Sequence, residues 1–241
     1  METALYKEMS TLEQEHWWFV GRRAVVFDIL RRFAPKGTLL DVGVGTGLNA
    51  ALFVRAGYNV TGIEPSADAV AFAKEKAPTV PIIQTTFPSA SIPSDTYDVV
   101  VLLDVLEHLD DDGAGLAEIR RVLKPGGVAL ITVPAFAFLW SGHDELAHHH
   151  RRYRRSDLRN KLIGAGLRPV QVSYYNFFLF PAIAAVRLLK ALLGITNKES
   201  DFGATPRLLN TPLAMLFGGE RFLLRLMSLP FGVSLVAVVQ K

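Results

Sequence analysis

Leu39-Leu40-Asp41-Val42-Gly43-Val44-Gly45-Thr46-Gly47 decides how the rest of the chain is read. An apolar run closes on an acid, three glycines alternate after it, and an amphipathic segment begins at Leu48. That order predicts a buried strand turning sharply into a helix, the corner at which parallel sheets bind nucleotide-type cofactors. Glycine suits the corner because the chain reverses tightly and a ligand must reach the backbone without meeting a Cβ. The dinucleotide fingerprint places its third glycine one position later, where this chain has Leu48. An acid at position 41 also favours a cationic ligand over a pyrophosphate.

Outward from the corner the alternation is regular. Strands are expected at 38–43, 58–64, 80–84, 97–103, 128–133, 167–175 and 232–241, and helices at 48–56, 66–76, 116–123 and 156–164. Ser66 and Ser156 are the expected caps of two of these helices, and Lys124-Pro125-Gly126-Gly127 ends a third. Strands separated by helix-length segments imply parallel βαβ units with right-handed crossovers. Residues 5–33 carry apolar side chains at helical spacing and read as a helical cap. The expected organisation is a cap at 1–37, an α/β core at 38–175, a hydrophobic helical insertion at 176–230 and the last strand at 231–241.

The chain has 241 residues, half of them hydrophobic, with a mean hydropathy of +0.25. The absence of cysteine excludes disulfides, thiolate metal sites and cysteine nucleophiles. The first residues carry an acid and no apolar run, so no secretory signal is expected, and the location reads as cytoplasmic or at the inner face of the membrane. Charge is uneven. Residues 38–142 hold 6 Lys/Arg against 12 Asp/Glu, whereas residues 143–241 hold 14 against 6. An acidic core and a basic, apolar C-terminal part suggest a cationic cofactor on one side and an anionic or membrane partner on the other.

The motif at Asp41, Gly43, Gly45 and Gly47 resembles motif I of the class I S-adenosylmethionine-dependent methyltransferases. The resemblance covers residues 38–133 and implies a Rossmann-like α/β fold: a seven-stranded, mostly parallel sheet with helices on both faces. It implies S-adenosyl-L-methionine as cofactor, with Glu64 and its neighbour Pro65 at the ribose. Thr86 and Phe87 would lie near adenine, although Thr86 stands where the family usually has an acid. Asp104, Val105 and His108 would lie near the methionine end, and the corner at 123–127 matches a late family loop. Within Glu15-His16-Trp17-Trp18-Phe19-Val20-Gly21-Arg22-Arg23, Trp18 and Arg22 are candidates to cover the cofactor and reach its carboxylate.

Methyl transfer from a sulfonium needs in-line positioning and exclusion of water, with a base where the acceptor must lose a proton. The loop at 134–153 follows the fifth strand, on the sheet edge that binds ligands. It offers His143, oriented by Asp144, then His150 and Tyr153 as catalytic candidates. No metal is assigned: side chains of the consecutive histidines 148–150 diverge, and Asp104 with Glu107 and His108 also occurs in metal-free relatives. The basic run at 151–155 reads equally as a solvated helix start or as an anion contact. Nucleic acid is not expected, because the segment after strand four lacks the Asp/Asn-Pro-Pro-aromatic pattern and the chain has no cysteine. Residues 176–230 read as a peripheral membrane contact, a lid or a dimer surface, with Arg187 and Lys190 arguing against a bilayer span. The expected acceptor is a small or lipid-like molecule. A dinucleotide-dependent oxidoreductase and a non-catalytic, membrane-associated cofactor-binding module are the alternatives.

Overall fold

The computed structural model describes residues 3–89, 91–194 and 205–241. Helices α1 (Thr3–Leu12) and α2 (Trp17–Phe33) precede the sheet. The periodicity predicts one helix here. The structure breaks it, because the His16 side chain accepts a hydrogen bond from the Trp18 backbone N–H and caps α2. Histidine is not among the preferred N-caps, so residue type alone does not mark the break.

Seven strands form one sheet: β1 (Thr38–Val42), β2 (Asn59–Ile63), β3 (Ile82–Ile83), β4 (Tyr97–Leu103), β5 (Leu123–Pro134), β6 (Arg168–Tyr175) and β7 (Ser234–Gln240). Their order is β3-β2-β1-β4-β5-β7-β6. The first five run parallel, and β7 lies antiparallel between β5 and β6. The winding direction switches between β1 and β4, which pair directly with Val42 opposite Leu102. The carboxyl ends of these two strands therefore border the crevice in which open α/β sheets hold ligands. Strands β4 and β7 are nearly continuous apolar runs, as both-face burial requires.

The helices after β1 are α3 (Leu48–Arg55), α4 (Ala67–Lys76), α5 (Asp112–Val122), α6 (Gly142–Leu146), α7 (Arg155–Gly164), α8 (Phe180–Leu192) and α9 (Arg207–Leu224). Ser66 caps α4, accepting from the Ala69 N–H. Two expected starts move. Helix α5 begins four residues early, because the Asp111 carboxylate accepts from the Ala114 N–H at 2.9 Å. Helix α7 begins at Arg155 without a side-chain cap, so Ser156 lies inside it. Strand β5 runs through the corner at 124–127, with a register shift against β4. The third strand shrinks to two residues.

The insertion is only partly a surface feature. Helix α9 packs on α2: the Phe217 ring is fully buried, and a Cβ at Gly21 would fall 2.4 Å from it. The buried Glu220 carboxylate accepts from the Phe177 and Phe178 N–H groups at 2.8 and 3.0 Å and pins the chain leaving β6. No helix among the described residues is long and apolar enough to cross a membrane.

Candidate active site

Glycines are required at two points of the corner after β1. Gly43 has φ +73°, and a Cβ there would lie 2.5 Å from Val105 Cγ2; Gly47 has φ +89°, with its Cβ position 2.6 Å from Ala73 Cα. Left-handed backbone is costly for any other residue, and both approaches close off a side chain. The Gly45 N–H is turned toward the Glu64 carboxylate at 2.9 Å, which also accepts from the Ser66 N–H at 3.0 Å. Burial raises the pKa of Glu64, and these backbone donors oppose the rise. Asp41 is buried with one carboxyl oxygen unpartnered. Burial pushes its pKa up to about 8, against the pull of Arg22 and with the repulsion of Glu64.

A cavity of about 840 Å³ runs from this corner to α8. Trp18, Arg22, Asp41, Gly43, Gly45 and Asp104 line its end at the glycine corner. The Arg22 guanidinium lies 4.4 Å from the Trp18 ring centroid and pairs with Asp104. Helix α1 closes the same end with Leu5 and Met9, which composition and spacing did not single out. Its Tyr6 hydroxyl reaches Glu64 at 3.4 Å, and Glu13, just after the helix, accepts from the Thr46 hydroxyl at 2.6 Å and pairs with Lys76.

Other expected cofactor residues sit elsewhere. Glu64 and Gly47 shape the corner from behind the cavity wall, and Val105 packs against Gly43. Pro65 and Thr86 are exposed, and Phe87 belongs to the main hydrophobic core, so none of the three lines the cavity. His108 does line it; burial and the neighbouring His149 hold its pKa down to about 3, so the ring is neutral.

The loop after β5 rearranges the catalytic expectations. His143 reaches the cavity wall, whereas the hydrogen bonds of Asp144 run to Ser141, His149 and Arg152. The Asp144 carboxylate is fully buried, gripped by Arg152 through Nε and Nη2 at 2.8 Å each, and accepts from the Ser141 N–H at 2.8 Å. Its histidine partner is His149, whose Nδ1 lies 2.8 Å from Asp144 Oδ1. These interactions hold the carboxyl well below the usual carboxylate range despite burial. His150 is exposed, with Nδ1 3.4 Å from Asp110. Tyr153 is buried and hydrogen-bonds Asp112 at 3.0 Å; burial and that charge push the phenol far above its ordinary value. Neither residue lines the cavity. The basic run serves structure here, since Arg151 pairs with Asp112 at 3.2 Å and Arg152 with Asp144.

Two polar groups without a hydrogen-bond partner face the cavity, and one of them, Asn176, was passed over by sequence reasoning. Both carboxyl oxygens of Glu107 are buried without a hydrogen-bond partner, and burial followed by the Asp104 charge raises its pKa well above the ordinary value. The carboxamide of Asn176 is likewise buried and unpartnered. Asp104 and Asn176, each directly after a strand, are non-glycine residues with left-handed φ of +59° and +55°. Such strain tends to collect at functional sites. Glu107, His108 and His149 bring one donor atom each within 4.8 Å of one another.

Residues 40–131 match the family model described as a methyltransferase domain. A "Probable S-adenosylmethionine-dependent methyltransferase" of Mycobacterium tuberculosis is 30% identical over 177 residues, 71% of this chain and 62% of the relative. A ubiquinone biosynthesis O-methyltransferase of Bradyrhizobium sp. is 37% identical over 97 residues, 39% of this chain and 38% of the relative. The chain thus spans about three fifths of the length of the first of these curated relatives, and less of the second. An S-adenosylmethionine-dependent methyltransferase from Mesorhizobium loti superposes with a TM-score of 0.60 at 15% identity, covering 90% of this chain and 98% of that one, a likeness of fold alone. Strand order, glycine corner and relatives agree: the chain carries a methyltransferase domain of the class I S-adenosylmethionine-dependent family.

Proposed function

We propose that this protein moves the methyl group of S-adenosylmethionine to a hydroxyl oxygen of an anionic, lipid-like acceptor drawn from a membrane surface. The reading rests on the composition of the cavity's far end. There Ala182, Ile183 and Val186 of α8 supply an apolar wall, with Arg187 and Lys190 on the same helix. At about 840 Å³ the cavity lies in the upper part of the range for ligand sites, roughly 300–1,000 Å³. That leaves room for a cofactor and the reactive end of a second molecule. The outer faces of α8 and α9 expose Leu189, Leu192, Leu208 and Met215, with Leu192 84% and Leu208 91% accessible. Apolar side chains interspersed with cations suit the interface of an anionic bilayer. The O-methyltransferase of ubiquinone biosynthesis among the relatives supports oxygen as the acceptor atom and an apolar acceptor body.

Deleting residues 176–230 would not test this, because α9 contributes Phe217 and Leu224 to the core. The test is flotation of the whole chain with phosphatidylglycerol vesicles, comparing wild type with Leu192→Ser/Leu208→Ser. The double variant is expected to keep S-adenosylhomocysteine affinity and lose most vesicle binding. Equal flotation of the two proteins would sink the membrane reading.

A further inference from the structure

His149 stands in the wall of the cavity, in the loop after β5. Its ring is fixed from one side: Nδ1 lies 2.8 Å from a carboxylate whose remaining acceptor positions are taken by Arg152 and Ser141. Asp144 is fully buried and Arg152 almost so, so the clamp is shielded from water. A carboxylate held this way accepts an N–H, which sets the tautomer with the proton on Nδ1 and a lone pair on Nε2. That second nitrogen faces Glu107 Oε1 at 3.9 Å, in the wall of the cavity. The His150 N–H donates to the Glu107 carbonyl at 3.0 Å and ties this loop to the one after β4, fixing the two walls relative to each other. A half-buried histidine in the wall of a ligand cavity, oriented by a clamped carboxylate, has the arrangement of a general base.

We propose that His149, oriented by Asp144, is the general base that takes the acceptor's proton. The assignment rests on the hydroxyl acceptor proposed above. In the step, an oxygen electron pair forms the new O–CH₃ bond. The C–S bond breaks with its pair passing to sulfur, which discharges the sulfonium. The hydroxyl proton moves to His149 Nε2, giving an imidazolium whose charge Asp144 offsets. Loss of that proton to solvent resets the ring. Asp144 is a positioning residue, since it reaches the acceptor only through His149. The groups facing the ring are Asp144, Arg152 and Glu107, with the rings of His108 and His143 at 4.7 and 6.2 Å between centroids.

The experiment uses the whole chain with S-adenosylhomocysteine or S-adenosylmethionine and, as probe acceptor, the anionic catechol 5-dodecyl-2,3-dihydroxybenzoate. In ¹⁵N-histidine spectra of the S-adenosylhomocysteine complex, His149 should carry its proton on Nδ1 and a lone pair on Nε2. His149→Gln should bind S-adenosylhomocysteine within about 3-fold of wild type. It should transfer methyl roughly 10²–10⁴-fold more slowly at saturating probe, with KM little changed. Imidazole should partly restore His149→Gly and leave wild type unmoved. A proton on Nε2, wild-type turnover by His149→Gln, or turnover abolished by chelator and regained with Mg²⁺ would each overturn the proposal. A wild-type protein that binds S-adenosylhomocysteine but never methylates the catechol defeats the acceptor reading, and with it the need for a base; the spectra distinguish that from a misassigned histidine.

Discussion

Asp41 makes cofactor binding depend on pH in a calculable way. Burial pushes its pKa to about 8, so the empty site holds a neutral acid at pH 7. A carboxyl whose folded pKa is raised stabilises the unliganded fold below the ordinary carboxylate range and loses that contribution as pH rises toward about 8. A cofactor ammonium group seated beside Asp41 would reverse this preference, because an adjacent cation favours the carboxylate. Binding therefore expels a proton, and by linkage the affinity follows the fraction of Asp41 already ionised. That fraction is about 1% at pH 6 and one half at pH 8, so S-adenosylhomocysteine should bind roughly 50-fold more tightly at the higher pH, about 2 kcal/mol. Titration calorimetry at pH 6, 7 and 8, in two buffers of different ionisation enthalpy, reads both the affinity and the released proton. Asp41→Asn should flatten the profile, which separates Asp41 from Glu64, a second buried acid whose pKa is raised. An unchanged slope in that variant, or no proton release from wild type, would refute the reasoning.

Gly43→Ala should abolish measurable S-adenosylhomocysteine binding in the same calorimeter. Adding Val105→Ala should not restore it, because the clash at 2.5 Å is relieved while the φ of +73° remains. Phe217→Ala should lower unfolding free energy by about 3–5 kcal/mol in urea, since the ring is fully buried between α9 and α2. His108, held neutral down to about pH 3, withholds a proton that the unfolded chain takes up near pH 6.5. Stability should therefore fall by roughly 1.4 kcal/mol per pH unit below about 6.5 from this group, and His108→Gln should remove that part of the slope in denaturant melts at pH 4–7.

The parallel half of the fold was legible because its signals are local. Apolar runs of strand length, helix-length spacers and a glycine corner each announce themselves over a few residues. What stayed hidden depended on backbone geometry that no residue type declares. Three consecutive histidines look alike in sequence, yet His148 adopts φ +56°, and the turn it makes leaves His149 in the cavity wall while His148 and His150 are exposed. Reading Asp144 with its neighbour His143 missed the partner five residues on, for the same reason. The cavity role of helix α1 escaped notice because it comes from ordinary apolar side chains, Leu5 and Met9, set by docking across the corner. Asn176 carried no pattern, and Glu107 entered only beside Asp104 and His108 as a metal candidate; burial without a partner singles both out.

The two walls of the cavity are attached to the core very differently, and this predicts where an acceptor enters. Helix α9 is tied to α2 by Phe217 against Gly21 and by Arg225 with Asp28, at 3.1 Å from Nε to Oδ2. The Trp17 N–H reaches Asn210 at 3.2 Å. Helix α2 in turn carries Trp18 and Arg22 into the cavity, so a shift of α9 would move that wall. Helix α8 is held more lightly, by Arg187 donating to the Leu139 carbonyl and by Ala184 packed with Leu139 and Val233. Ala184 is its only buried residue, whereas α9 buries Phe217, Gly218, Glu220 and Leu224. Local opening is cheapest where the fewest apolar contacts break. Amide hydrogen exchange of the S-adenosylhomocysteine complex should therefore be faster along α8 than along α9, by roughly 10-fold for each 1.4 kcal/mol of difference in opening free energy. Exchange in α9 as fast as in α8 would remove the distinction and place the entry route across both helices.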